Sequence, residues 1–304
     1  MLHVPIAGAS RCSLISRSTR MPRRRRLCAV RSAPVLCPLV VIMQTVASPE
    51  LFDSVADEYA DIRPGYPDEL FEFLVRTAGI GMQSTIVEVG CGTGQATLDF
   101  AKRGFSVLCL EPGAQLAKRA RQELLPYPNV SLEQCRFEEW EPASRRFSLL
   151  FSAQAYHWID PEIAVTKPRE VLEPNGIVAL IWNVDRRDSS AMRAALDCCY
   201  EHHAPQLAAK SRDKRGATRD ATVGRFATSP LYSVMAKGTF PWTRRYSARD
   251  YVRLLGTYSD HLALSSGARD DLFGAIKSAI LEVGGSIELK YDAFCYMFRS
   301  MHDA

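Results

Sequence analysis

From about residue 48 onward, short apolar runs alternate with stretches of helical spacing. Ile86, Val87 and Val89 are β-branched and close together, the pattern of a strand buried on both faces of a parallel sheet. Segments 105–110, 130–135, 147–152 and 177–182 read as further strands, 105–110 and 177–182 clearly apolar. Gln95–Lys102, Gln115–Leu125 and Val165–Leu172 read as the helices between them. Pro168 falls inside the last of these and predicts a shortened helix starting at Arg169. Ahead of the first strand, 49–62 places Phe52, Val55, Ala56 and Tyr59 on one helical face. R-P-G-Y-P (63–67) breaks that helix, and 68–79 supplies another, carrying Leu70, Phe71, Leu74 and Val75.

After Val184 the rhythm stops. A helix is predicted over 190–200, with Met192, Ala195, Leu196 and Cys199 on one face, and 210–219 reads as a polar, basic loop. A sixth strand follows at 235–242, and Ser247 with Asp250 makes a capping box for a helix through Leu255. Residues 289–298 alternate as a seventh strand, antiparallel to the sixth. The expected fold is α/β, a Rossmann-like seven-stranded and mostly parallel sheet.

One turn carries the candidate chemistry. T-I-V-E-V-G-C-G-T-G-Q (85–95) is a strand, three alternating glycines and a helix start, the first half of a nucleotide-binding βαβ unit. A dinucleotide fingerprint needs a glycine three places after the second, and that position is Gln95. The second strand ends at Glu111, where a carboxylate can accept both ribose hydroxyls of an adenosine cofactor.

The spacing E-x-G-x-G-x-G resembles motif I of class I S-adenosylmethionine (SAM) methyltransferases. The resemblance implies that Gly90, Gly92 and Gly94 border the cofactor and that Glu88 answers its positive charge. It also implies that Phe137 and Glu138 bracket the adenine, with Glu139 one residue away as the other choice of acid. F-D-S-V-A-D-E-Y-A-D-I-R-P-G-Y-P (52–67) resembles the leader of many small-molecule methyltransferases, which puts Tyr59 and Arg63 near the acceptor. A-Q-A-Y-H-W-I-D (153–160) resembles trans-aconitate-methyltransferase-like proteins, and the leader and motif I are shared with ubiquinone/menaquinone methyltransferases. Tyr156, His157 and Trp158, with Asn183 after the fifth strand, are then expected at the acceptor. His157 reads as a base, a substrate partner or a packed residue. In this superfamily, helices after the fifth strand commonly form a lid, which assigns 184–234 that role. The resemblance spans about residues 48–300.

Composition changes this picture only at the N-terminus. The 304 residues are 47% hydrophobic and 24% charged, as in an ordinary globular domain. Residues 1–49 hold eight arginines and no acid, so the formal charge of +4 conceals a remainder at −4. Nucleic acid therefore loses its main electrostatic support as a partner. Residues 1–47 are expected to be a basic extension without a fold of its own, ahead of one domain at 48–304. That extension reads as an over-extended start before Met43, an organelle transit peptide or a basic arm. The apolar run 33–43 contains Pro34 and Pro38 and is too short to span a bilayer, so no membrane segment is expected. Nine scattered cysteines suit a reducing, cytoplasmic setting, or an organelle if the extension is a transit peptide. C-C-Y-E-H-H (198–203) lacks a second ligand pair, and no metal is expected.

The expected activity is transfer of the SAM methyl to a small-molecule acceptor, with a carboxylate as one acceptor class. The rivals are C-methylation of a quinone precursor, non-catalytic SAM binding, and a nicotinamide oxidoreductase.

Overall fold

The computed structural model describes residues 52–186, 189–210 and 214–301. The arginine-rich extension lies outside the described residues. In chain order, α1 (Ala56–Ile62) and α2 (Asp68–Ala78) precede β1 (Thr85–Val89), α3 (Gln95–Lys102), β2 (Ser106–Leu110), α4 (Ala114–Leu124) and β3 (Val130–Glu133). β4 (Phe147–Ala153) runs into one 3-10 turn, Tyr156–Trp158, then α5 (Ile163–Val171) and β5 (Leu172–Asp185). The insertion contains α6 (Ala191–His203), α7 (Pro205–Lys210) and α8 (Lys214–Thr228). β6 (Tyr232–Ser247), α9 (Ala248–Leu255), α10 (Ser259–Leu262), α11 (Ser266–Glu282) and β7 (Ser286–Ser300) complete the chain.

The seven strands form one sheet in the order β3-β2-β1-β4-β5-β7-β6. β1 pairs in parallel with β2 and β4, while β7 runs antiparallel to β5 and β6, between them. The central strands are apolar on both faces because both faces are covered. Ile86, Leu149 and Ala179 pack with Leu70, Phe71 and Phe100 on one side. Val87, Leu150 and Val178 pack with Phe137, Tyr156 and Phe226 on the other. Since strand side chains alternate, Glu88 shares the side of Ile86 and faces α3.

Several elements differ from the sequence pattern. α5 does not restart at Arg169; it runs through Pro168. Pro174, Asn175 and Gly176, whose types suit a turn ahead of the fifth strand, lie inside β5 as an irregularity, where Leu172 pairs with Phe147 and Ile177 with Leu149, and Asn175 takes φ +63°. Lys214–Arg219 is not loop but the start of α8. α11 has no predicted counterpart. Leu272, Ile276 and Ile280 give it a narrow buried stripe among other apolar residues, which blurs its period. The Ser247 cap is as expected: its hydroxyl accepts from Asp250 N–H at 3.0 Å. Among the described residues, no helix is long and apolar enough to cross a membrane.

Candidate cofactor and acceptor site

The glycine turn leaves β1 at the carboxyl edge of the sheet and enters α3. Gly90, Gly92 and Gly94 have φ of +71°, +58° and +90°, a region that L side chains rarely adopt. Their surroundings separate them. A Cβ on Gly90 would lie 2.5 Å from Ala155 Cβ, and one on Gly94 would lie 3.2 Å from Leu124 Cδ1. On Gly92 the nearest atom would be Tyr59 Cε1 at 3.7 Å. Gly90 and Gly94 are thus required by the protein's own packing, and Gly92 opens on the space beneath the leader.

Glu111 braces this turn. Its Oε2 accepts from Gly92 N–H at 2.8 Å and its Oε1 from Gly113 N–H at 2.9 Å. Burial raises its pKa, and the two backbone donors oppose that shift. Asp53 closes the same corner, a residue that the sequence reading does not single out. Its Oδ1 accepts from the N–H groups of Gln115 and Leu116, at 2.7 and 3.0 Å, capping α4 from a distance in sequence.

Glu88 lies beneath the turn and not in the open space above it. It is 1% exposed and accepts a hydrogen bond from the Thr97 hydroxyl. Burial, the largest cause, pushes its pKa up to about 8. At neutral pH it is a neutral acid beneath the turn, not a standing carboxylate. Its strand register, one place from Val89, sends it toward α3.

A ladder of rings and one guanidinium crosses the mouth of the site. Trp158 and Phe52 have ring centroids 6.2 Å apart, and Phe52 and Tyr59 6.1 Å. Arg63 then lies between two rings, 4.6 Å from the Tyr59 centroid and 4.5 Å from that of Tyr258. Arg63 Nη2 donates to Thr257 O at 2.6 Å, and the Tyr59 carbonyl accepts from Gln95 Nε2 at 3.3 Å. The leader therefore ties the glycine turn to the segment after α9. Tyr258 lies almost two hundred residues from Arg63 and is not among the residues expected at the site, although T-Y-S-D-H (257–261) resembles the same family.

The other predicted residues divide. Asn183 stands at the carboxyl edge, where Nδ2 donates to Gly65 O at 2.8 Å and Oδ1 accepts from Trp242 Nε1 at 3.1 Å. Glu138 joins the turn after β3 to the loop after β4, accepting from Asp160 N–H at 3.2 Å. Phe137 is not open at that edge; it is buried with Trp140 and Tyr156. Tyr156 is not an acceptor residue either. It points into the same core, its ring against Phe226 and its hydroxyl donating to Ala164 O. The reason is the 3-10 turn, in which consecutive side chains diverge, so Tyr156 and Trp158 do not share a face. Trp158 is 39% exposed and the His157 ring lies tilted against it, with centroids 4.9 Å apart. His157 Nδ1 is buried without a partner among the described residues, and burial lowers its pKa to about 4.

Residues 86–176 match the methyltransferase domain family. An uncharacterized methyltransferase of Mycobacterium tuberculosis is 30% identical over 132 residues, covering 43% of this chain and 51% of that protein. One of Schizosaccharomyces pombe is 26% identical over 209 residues, covering 66% and 76%. The chain thus spans about half the length of the first of these relatives. A solved structure, that of a candidate type II methyltransferase from Anaeromyxobacter dehalogenans, superposes with a TM-score of 0.59 at 21% identity. It covers 79% of this chain and 99% of its own. The chain has the Rossmann-like fold of that structure, and residues 86–176 at its centre are similar to the methyltransferase domain.

Proposed function

We propose that the protein binds SAM at the glycine turn and transfers its methyl group to a small-molecule acceptor. The observation that carries this reading is the cradle of Gly92, Glu111 and Tyr59, open where a Cβ would fill it and braced by a buried carboxylate. The residues present fit SAM. Glu111 uses one lone pair on each oxygen for the backbone, which leaves acceptor capacity for ribose hydroxyls. Glu88, a buried acid below the turn, can release its proton when the cofactor's ammonium arrives. Glu138 serves the adenine amine, with Phe137 supporting that wall from the core.

SAM supplies an electrophilic methyl on a sulfonium, so the chain's own task is alignment and exclusion of water. Holding two reactants in an attack pose supplies ~7–11 kcal/mol of barrier reduction. The leader ladder from Trp158 to Arg63 performs the exclusion. His157, neutral at working pH because of its lowered pKa, lines the acceptor side and is a poor base. An acceptor that is already ionised, such as a carboxylate, therefore suits this site better than the carbon acid of a quinone precursor.

The test is incubation of a metabolite extract with the protein and methyl-labelled SAM, read by mass spectrometry. A labelled small molecule is the expected result. Tight SAM binding with no labelled product would leave a cofactor-sensing role instead, and absence of SAM binding would overturn the reading.

A further inference from the structure

Beside Asn183, at the carboxyl edge of β5, lies a group of polar atoms that neither the fold nor the cofactor cradle uses. Tyr291 of β7 pairs with Asp185, the last residue of β5, and with Trp242 of β6. Its ring stacks on that of Trp242, with centroids 5.1 Å apart. Tyr246 stands four residues further along β6. Both tyrosines are 3% exposed, and their buried hydroxyls face each other with no other hydrogen-bond partner among the described residues. Buried hydroxyls are nearly always satisfied, and two facing phenols can use only one of their two protons on each other, so the other buried donor calls for an acceptor.

Arg63 faces the same place. Its Nε is likewise buried and unpartnered, and among the described residues no carboxylate pairs with its charge. Arg63 and Arg244 both act electrostatically on the Tyr246 hydroxyl, and Tyr246 and Tyr258 both act on that of Tyr291. Arg244 stacks on the Tyr246 ring at 4.9 Å and donates to the Arg63 carbonyl at 2.9 Å. Asp185 is the acid that Tyr291 meets, and it is neutralised by Arg193, whose Nη2 lies 2.9 Å from its Oδ2. The balance around the two hydroxyls is cationic.

We infer that Arg63, Tyr246 and Tyr291 form an oxyanion pocket that holds a carboxylate of the methyl acceptor. The inference rests on the methyl-transfer reading above and names the chemical class that the acceptor site recognises. The two phenols donate, and the guanidinium supplies the charge that makes an anion preferable to a neutral oxygen. Both phenols keep their protons at working pH, since burial raises both pKa values, that of Tyr246 to about 12. Trp242 and Tyr258 wall the pocket with rings, which suits an acceptor with a compact apolar body. A carboxylate gripped this way is oriented against the cofactor, and no base is needed to prepare it.

The experiment is calorimetry on the full chain saturated with S-adenosylhomocysteine. The probes are glutarate and benzoate, with glutaramide and benzamide as uncharged counterparts. At least one carboxylate should bind tenfold or more tightly than its amide. Tyr246→Phe and Tyr291→Phe should each weaken that carboxylate about three- to tenfold, with S-adenosylhomocysteine affinity within twofold of the unaltered protein. Arg63→Gln should abolish the preference for the acid. The retained nucleoside affinity reports that each variant is folded, and Arg63, which is partly exposed, carries the test if a tyrosine variant is not. Equal binding of acid and amide, no carboxylate binding at all, or binding indifferent to all three substitutions would overturn the pocket. Failure of the unaltered protein to bind S-adenosylhomocysteine would instead overturn the methyl-transfer reading.

Discussion

The Tyr156 hydroxyl donates at 2.7 Å to the carbonyl of Ala164, the group left without its helical partner because Pro168 has no N–H. That bond explains how α5 continues through a proline: the orphaned carbonyl is satisfied from across the core. Tyr232 adds a second hydroxyl bond to the next carbonyl, Val165 O, at 2.9 Å.

Tyr156→Phe should therefore cost stability rather than catalysis. A buried carbonyl stripped of its donor costs about 1–3 kcal/mol. Urea unfolding should show a loss of this size, with SAM affinity unchanged. Adding Pro168→Ala, which restores the missing N–H, should recover part of it. Equal losses with and without the proline would show that the hydroxyl does not serve this carbonyl.

Gly92→Val should weaken SAM and S-adenosylhomocysteine alike, because the side chain enters the space beneath Tyr59. Gly90→Val should instead damage folding, since a Cβ there meets Ala155 at 2.5 Å. Glu111→Ala should weaken both ligands about ten- to a hundredfold, from ~1.5–3 kcal/mol for a charged-group hydrogen bond. Calorimetry on folded Gly92→Val with undiminished SAM affinity would place the cofactor elsewhere.

Glu88 makes stability and binding depend on pH in opposite directions. Its pKa rises from 4.5 in the unfolded chain to about 8 in the fold, so between those values the folded state holds a proton that the unfolded state has lost. Its contribution is full below about pH 4.5, falls as pH rises toward about 8, and is level above. Asp99 and Glu111 are shifted the same way, so the difference between Glu88→Gln and the unaltered protein isolates this residue. SAM affinity should rise with pH up to about 8, as ammonium binding releases the proton. Calorimetry in buffers of different ionisation enthalpy should detect that release, and Glu88→Gln should remove it. An unaltered proton count in Glu88→Gln would exclude the residue.

His157 should leave no titration limb near pH 6.5 in the rate profile, because its pKa is lowered to about 4. His157→Ala should reduce turnover through looser packing on Trp158, with SAM affinity within about twofold, or roughly 0.4 kcal/mol. A limb near 6.5 that vanishes in the variant would make His157 a general base after all.

The sequence by itself determined the features whose causes lie within a few residues. Short apolar runs specified the buried strands β1, β2, β4 and β5, and the glycine spacing specified a turn into α3. The Ser247–Asp250 pair specified the start of α9. Each follows from backbone sterics or a hydrogen bond spanning three or four positions, so the residues that cause it are neighbours in the chain. Only the tertiary structure decided the rest. Pro168 is tolerated because Tyr156 reaches Ala164 from another element. Glu88 holds its proton because α3 and the sheet exclude water from it. Phe137 and Tyr156 turn to the core while Trp158 faces the leader. Arg63 meets Tyr258 and comes near Tyr246 only in the folded chain, where Tyr246 in turn faces Tyr291 across β6 and β7. Burial and pairing over such separations depend on which faces meet, and no local period encodes that.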